Sequence, residues 1–385
     1  MSEVAELYAS RMLRLAAIFV VSSFISIYLY QHGYGIVTIG FVWAAFFFTK
    51  SLFALPSAML VGWIGPKHVT LVANIMYIPA MIGFATVPQF GFAVLIPSLI
   101  LQAISSTMYG VAYYVDFSKV KSVDHAGKEI GFMNIIEKLT AGVSPLVGGL
   151  IAFIWGPEVT IVLSAGLFAL AAVPLFRTGE PLTTKVKLNF RGFPWRLLAK
   201  HGVAQWAYGI DVFASGTVWS LYTAVVIIGV ASDNKVYVIM GLLLSVVFLA
   251  ALLASYAYGK VIDRKKGGEL MELSIVANSI THLIRPFINT PGAAAGINAA
   301  NEVATTGYTM PYTRAVFDNA DISGVRTAYL GLTETISNFG AAVAAVVLAL
   351  LAMHFGTTQA LTSFFFIAAG TALLILTARF PLYKK

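Results

Sequence analysis

Apolar runs of about twenty residues or more recur along almost the whole chain, with polar turns between them. A run of that length crosses the hydrocarbon core of a bilayer as one helix, at about 1.5 Å per residue and a core about 30 Å thick. That pattern leaves few folds open. Only 11% of the 385 residues are charged, 58% are hydrophobic and mean hydropathy is +0.83. A soluble domain has about a quarter charged residues, so the bilayer is the natural solvent. Spanning strands would need alternation over about ten residues, whereas these runs are longer and uniformly apolar. The expected fold class is an all-α integral membrane protein. Its twelve transmembrane helices are placed near residues 12–32, 36–64, 67–87, 92–116, 128–154, 157–176, 202–230, 234–258, 268–288, 292–316, 324–353 and 357–379.

The charges divide by side. Connections after odd-numbered spans hold only His32, Glu158, Asp233, Lys235 and His354, with Arg285 near the end of the ninth span. Connections after even-numbered spans hold Lys67, Lys119, Lys121, Lys128, Lys260, Arg264, Lys265, Lys266, Arg314 and Arg326. By the positive-inside rule the second set faces the cytoplasm, together with both termini. The net charge of +8 is thus a topology signal, and no nucleic-acid partner is expected. The segment from Arg177 to Lys200 mixes Lys185, Lys187, Arg191, Arg196 and Lys200 with Phe190, Phe193, Pro194 and Trp195. It reads as a tether lying against an anionic leaflet. Met1 to Arg11 does not read as a cleaved signal. The location expected is a prokaryotic inner membrane, with lipids as partners.

Several chemistries have no support. There is no cysteine, hence no disulfide or thiolate site. His32, His68, His125, His201, His282 and His354 are scattered without metal-ligand spacing. No phosphate loop or dinucleotide fingerprint occurs, so no cofactor is expected. No reactive cluster argues for an enzyme. Energy for transport would come from an ion gradient.

The chain also repeats itself. Gly62 and Gly259 lie 197 residues apart in similar polar turns, and the same offset relates Glu137 to Glu334 within similar stretches. The domains read as 1–176, a linker over 177–201, and 202–385. They form two pseudo-symmetric six-helix bundles, expected as a monomer.

Gly259-Lys260-Val261-Ile262-Asp263-Arg264-Lys265-Lys266-Gly267 resembles the G-x-x-x-D-R-x-x-G loop of the major facilitator superfamily, as do the twelve spans and the duplicated halves. In that family the glycine lets two helices approach, and the Asp and Arg pair across the interface between halves. The resemblance implies a gating loop built on Gly62, Lys67, Gly259, Asp263 and Arg264. The first-half turn, Gly65-Pro66-Lys67-His68, lacks the Asp-Arg centre, which implies a weaker latch there. On the fifth span, Gly131, Thr140, Ser144, Pro145, Gly148 and Gly149 follow the spacing of a drug/proton antiporter signature. The same residues also fit small-residue packing around a Pro kink. The arginine that antiporters keep on the fourth span is missing.

Ionisable side chains far from helix ends are expensive in hydrocarbon and face a cavity or a partner. Glu302, Glu137, Glu334 and Asp211 are the candidates for proton coupling, because burial disfavours a charged carboxylate and alternating access changes burial. Glu137 and Glu334 also suit a salt bridge between the halves, and Asp211 sits near enough its helix end to meet water. Lys50, mid-span among phenylalanines, should find a carboxylate across the interface. Polar residues at helical spacing form stripes on four spans. They comprise Ser22, Ser26 and Tyr30; Gln102, Ser105, Tyr109, Tyr113 and Asp116; Tyr208, Asp211, Ser215, Trp219 and Tyr222; and Asn298, Asn301, Glu302, Thr305, Thr309 and Tyr312. The resemblance implies that these four spans line a central cavity. Lys50 joins them as a cavity candidate.

The function expected is alternating-access transport of a small organic molecule, with proton-linked efflux leading. The alternatives are coupled uptake of a small nutrient or anion, and lipid translocation.

Overall fold

The computed structural model describes residues 3–22, 24–120, 126–176, 190–230 and 234–383, with side chains omitted at 3–5, 114–136 and 138. The first span is two helices, α1 (Glu3–Phe19) and α2 (Ile25–Gln31). The next five are α3 (Ile36–Ile64), α4 (Pro66–Ala85) followed by a one-turn α5 (Val87–Phe90), α6 (Phe92–Val120), α7 (Ala126–Trp155) and α8 (Pro157–Ala172). The seventh span joins α9 (Trp195–Phe213) to α10 (Trp219–Tyr222) through wider π-type turns at Ala214–Val218 and again at Thr223–Ile228. The remaining spans are α11 (Lys235–Asp263), α12 (Gly267–Ile284), α13 (Pro291–Ile322), α14 (Arg326–Phe355) and α15 (Thr357–Leu373).

Every expected span falls on helix. Among the described residues eight stretches are long and apolar enough to cross a membrane unaided. The other four differ for visible reasons. The first is broken, the described apolar part of the fifth is the shorter stretch Leu139–Trp155, and α12 and α13 carry polar faces toward the protein. Large apolar side chains such as Leu52, Leu253, Leu273 and Phe287 stand exposed on the outside of the bundle, where lipid is their natural neighbour.

Helix contacts repeat with the duplication. Within the first half α4 packs on α6, α3 on α6, α4 on α8 and α1 on both α7 and α8. Within the second, α12 packs on α13, α11 on α13, α12 on α15 and α9 on both α14 and α15. Two seams join the halves, α3 against α14 and α7 against α11. The α7–α11 seam and the contact of α7 with the first span account for the last two glycines of the fifth-span signature. A side chain at Gly149 would meet the Tyr237 carbonyl oxygen at 2.4 Å, and one at Gly148 the Val20 carbonyl oxygen at 2.0 Å. Glycine is therefore demanded by backbone contact, the way helices associate where apolar burial gives no drive.

Some expectations need correction. The seventh span starts at Trp195, within the stretch assigned to the linker. Phe193 is buried and stacks toward Tyr329 at 6.1 Å, so this part of the connection packs on protein; Trp195 and Phe190 stay exposed. Residues 177–189, which hold Lys185 and Lys187, lie outside the described residues, as do Asp233 and the side chains of Asp116, Lys119, Lys121 and Lys128. At the α11–α12 turn, Asp263 and Arg264 are exposed and form no ion pair among the described residues. A side chain at Gly259 would meet nothing within 4 Å, so no close helix approach occurs there. Lys67, in contrast, is buried and pairs with Glu6 at 3.3 Å. Both partners belong to the first half, so this pair ties α1 to α4 and does not latch the halves together.

Candidate functional site

A cavity of about 410 Å³ lies between the halves, lined by residues of α3, α11, α13, the broken first span and the π-distorted seventh. Both symmetry-related spans lose regular helix where they meet it. Such irregular backbone inside a membrane is tolerated where it lines a cavity, and π-type turns recur at functional sites. Ser22 and Ser26 reach it from the first span, Ser215 and Trp219 from the seventh, and Asn298, Asn301, Glu302 and Thr305 from α13. Trp43 and Phe47 of α3 complete an aromatic wall that the polar stripes did not predict. Trp43 Nε1 donates to Ser26 Oγ at 2.9 Å. Trp219 Nε1 donates to Asn298.

Arg285 also lines this cavity, and its side chain is only 1% exposed. It stands just past α12 and heads a chain of buried polar contacts. Its Nη2 donates to Asn301 Oδ1 at 2.8 Å, and its Nη1 lies 3.0 Å from His282 Nδ1 and 3.4 Å from Ser215 Oγ. The guanidinium packs on Trp219, 4.8 Å from the ring centroid. His282 Nε2 lies 2.7 Å from Asp211 Oδ1, which also accepts from Asn278 at 2.7 Å. Tyr308 donates to the other Asp211 oxygen. Asn301 in turn donates to Asn278 Oδ1 at 2.7 Å. Asp211 and His282 are 3% and 0% exposed, so Asp211 meets no water at its helix end. Buried charges are retained only when paired and hydrogen-bonded in this way.

The sequence offered a signal for this cluster. Asn278, His282 and Arg285 follow a four- and three-residue step, one face of α12. Sequence spacing alone gives His282 only as one of six scattered histidines and Arg285 only as a basic residue near the end of the ninth span.

The fourth-span stripe does not reach the cavity. Gln102 donates to Tyr77 OH at 2.8 Å, and Ser105 donates to the Ala73 carbonyl at 2.6 Å. Tyr109 and Tyr113 are stacked on each other and carry Arg14 and Arg11 on their faces, at 3.9 and 4.2 Å from the respective centroids. Arg14 is 1% exposed and donates to Asn74 Oδ1 at 2.6 Å. Arg11 pairs with Glu137 at 2.9 Å, so that glutamate bridges helices of one half, and not the two halves. Tyr30 packs against the core and Tyr222 donates to the Pro286 carbonyl at 3.1 Å.

A second, smaller cavity of about 150 Å³ lies between the halves nearer the end that carries both termini. Tyr208, Tyr312, Gln205 and Glu334 line it. Tyr312 donates to Gln205 at 3.0 Å and stacks on Tyr208. Lys50 lies off the larger cavity. Its ammonium sits 5.6 and 5.7 Å from the Phe46 and Phe47 rings, and it is attracted to Glu334 of α14. Among the described residues the two form no ion pair within 4 Å, so the expected cross-seam partner acts on Lys50 only at longer range. Neighbouring Ser51 and Thr335 tie α3 to α14 by reciprocal hydroxyl-to-carbonyl bonds of 2.9 and 3.3 Å. Glu302 stands twelfth of the 32 residues of α13 and accepts from Thr306 at 3.2 Å.

Residues 7–300 match the family model described as Major Facilitator Superfamily. No curated protein matches the chain. Several solved transporters share its fold. A POT family transporter in complex with 5-aminolevulinic acid superposes with a TM-score of 0.77 at 11% identity, covering 97% of this chain and 94% of that one. A peptide transporter POT in complex with sulfate gives 0.74 at 11%, covering 97% and 92%. The nucleoside transporter NupG gives 0.71 at 12%, covering 98% of each. Identity at this level establishes fold and leaves substrate to the site itself.

Proposed function

Because the chain belongs to the major facilitator superfamily and is a transporter with that fold, we propose that it moves a small polar organic molecule by alternating access linked to protons. The cavity of about 410 Å³ is the substrate site in this reading. The observation that carries it is the buried Asp211–His282–Arg285 chain, which runs from the interior of the second half to the cavity wall. A titratable chain that ends on a substrate cavity links the two occupancies. Binding near the repeat interface is the general arrangement of secondary transporters. The fold neighbours, transporters of nucleosides and peptides by their names, agree with a polar organic cargo.

The direction favoured is uptake. The efflux reading drew on the fifth-span signature and the buried carboxylates, and backbone contact at Gly148 and Gly149 accounts for two residues of that signature by packing. The guanidinium on the cavity wall then carries more weight. The basic end of the molecule would face the cytoplasm. Lys50 and Glu334, facing each other across the α3–α14 seam, would hold the halves in register.

Reconstitution tests this. Proteoliposomes with an imposed pH gradient are screened by solid-supported-membrane electrophysiology against amino acids, nucleosides, small peptides and carboxylates. A substrate-dependent current that grows with an inward-directed proton gradient is expected. Transport indifferent to the gradient in both orientations defeats the proton-linked reading.

A further inference from the structure

Building on that proton-linked reading, we propose that the cavity takes a small organic anion on Arg285, and that His282 couples its binding to a proton.

Donor accounting fixes the resting state. A guanidinium has hydrogens to give and no lone pair to accept with. The 3.0 Å contact between Arg285 Nη1 and His282 Nδ1 therefore makes Nδ1 the acceptor. The ring hydrogen must then sit on Nε2, where it points at Asp211 Oδ1 at 2.7 Å. His282 is neutral, in one tautomer, bridging a carboxylate to a cation.

An arriving proton chooses between Asp211 and the His282 ring. Asp211 already accepts from His282, Asn278 and Tyr308, and three donors favour its carboxylate form. The charged groups that meet His282 are Asp211 of α9 and Arg285 just past α12, with Tyr308 of α13 on the other oxygen of Asp211. Phe365 of α15 and Trp219 of α10 add only aromatic surface. The His282 Nδ1 lone pair accepts from Arg285 alone, so a proton placed there displaces a single donor.

Protonation there turns an acceptor into a donor. The Arg285 hydrogen bond is lost, and two cations face each other at hydrogen-bonding distance in a nearly dry setting. Two changes relieve this: Arg285 swings toward the cavity it already borders, or an anion enters beside it. The guanidinium is prepared for the second, since its Nε is buried with no partner among the described residues. A carboxylate suits such a donor edge, and Trp43, Phe47 and Trp219 give its organic body an apolar wall. Proton and anion therefore strengthen each other's binding, and the coupling is reciprocal by linkage. In an inward proton gradient this is uptake of an organic acid with a proton.

Three matched probes test it on the purified full-length protein: benzoate, benzamide and benzylamine. Thermal melts are run at pH 6 and pH 8, on either side of an ordinary imidazole, with proton uptake read by an indicator dye in weak buffer. Benzoate is expected to raise the melting temperature, more at pH 6, and to draw a proton from solution as it binds. Arg285→Gln should lose the stabilisation, and His282→Gln should lose the proton uptake. Without any probe, the Trp219 emission, taken as the difference from Trp219→Phe, should shift with pH and fall silent in His282→Gln. Stabilisation by benzamide equal to benzoate, or none by benzoate, overturns the anion. Benzoate binding without proton uptake, or a Trp219 signal indifferent to pH, overturns the role of His282. Each of these failures leaves gradient-driven transport in proteoliposomes standing, and only that assay speaks against the broader reading.

Discussion

Arg14 and Asp211 occupy corresponding places in the two halves, 197 residues apart like Gly62 and Gly259. Each is buried, each bonds an asparagine from a packed helix (Asn74 and Asn278), and each touches a tyrosine from the half's fourth helix. The charge is reversed. Arg14 is enclosed by Tyr77, Tyr109 and Phe168, and its contacts end within the half. The contacts of Asp211 continue through His282 and Arg285 to the cavity. The 197-residue offset thus relates two buried slots, and the occupant decides whether the contacts end in packing or continue to the cavity. A guanidinium stays charged at any physiological pH and suits a permanent strut. A carboxylate with a histidine can exchange protons.

The largest expected effect comes from breaking the second slot. Asp211→Ala leaves His282 and Arg285 without their anion, and removing one partner of a buried pair costs about 3–5 kcal/mol. Detergent melts should fall sharply and gradient-driven transport should vanish. A variant that transports normally ends the contrast between the halves.

The matching change in the first slot should be milder. Arg14→Met keeps much of the volume and removes the Asn74 bond and the aromatic contacts, for about 2 kcal/mol. Transport should persist at reduced stability, measured by melting and flux together. Loss of proton linkage with intact folding would instead place the first half in the mechanism.

Overpacking the seam acts on both halves at once. Gly149→Ala drives a methyl into the Tyr237 carbonyl, at a cost of about 1–3 kcal/mol. A lower melting temperature is expected, with reduced flux because α7 and α11 can no longer sit as close.

The two turns should differ from each other, and the second holds the smallest effect. Lys67→Met should shift stability measurably, because Lys67 is buried against Glu6. Asp263→Asn on the exposed second-half turn should stay within about 0.5 kcal/mol. Equal shifts in the two variants would remove the asymmetry described between the turns.

Much of this was legible beforehand. Hydrophobic run length alone placed helix at all twelve expected spans, because a bilayer admits few alternatives to a helix for such runs. The repeat at 197 residues announced paired halves, and the stripe on α13 located Asn298, Asn301, Glu302 and Thr305 at the cavity. Helical periodicity gives a face, however, and not its neighbour. It could not say that Gln102, Ser105, Tyr109 and Tyr113 turn into the first half, or that Glu137 meets Arg11. The gating loop misled for a related reason: a motif carries residue types, while burial of Lys67 and exposure of Asp263 depend on what packs nearby.

The sequence by itself determined the solvent and the all-helical membrane fold class, because both follow from composition and run length along one chain. Only the tertiary structure decided which charges meet. Asp211, His282 and Arg285 come from distant turns of two helices, and their tautomer, partners and access to the cavity arise from distances that no local pattern encodes.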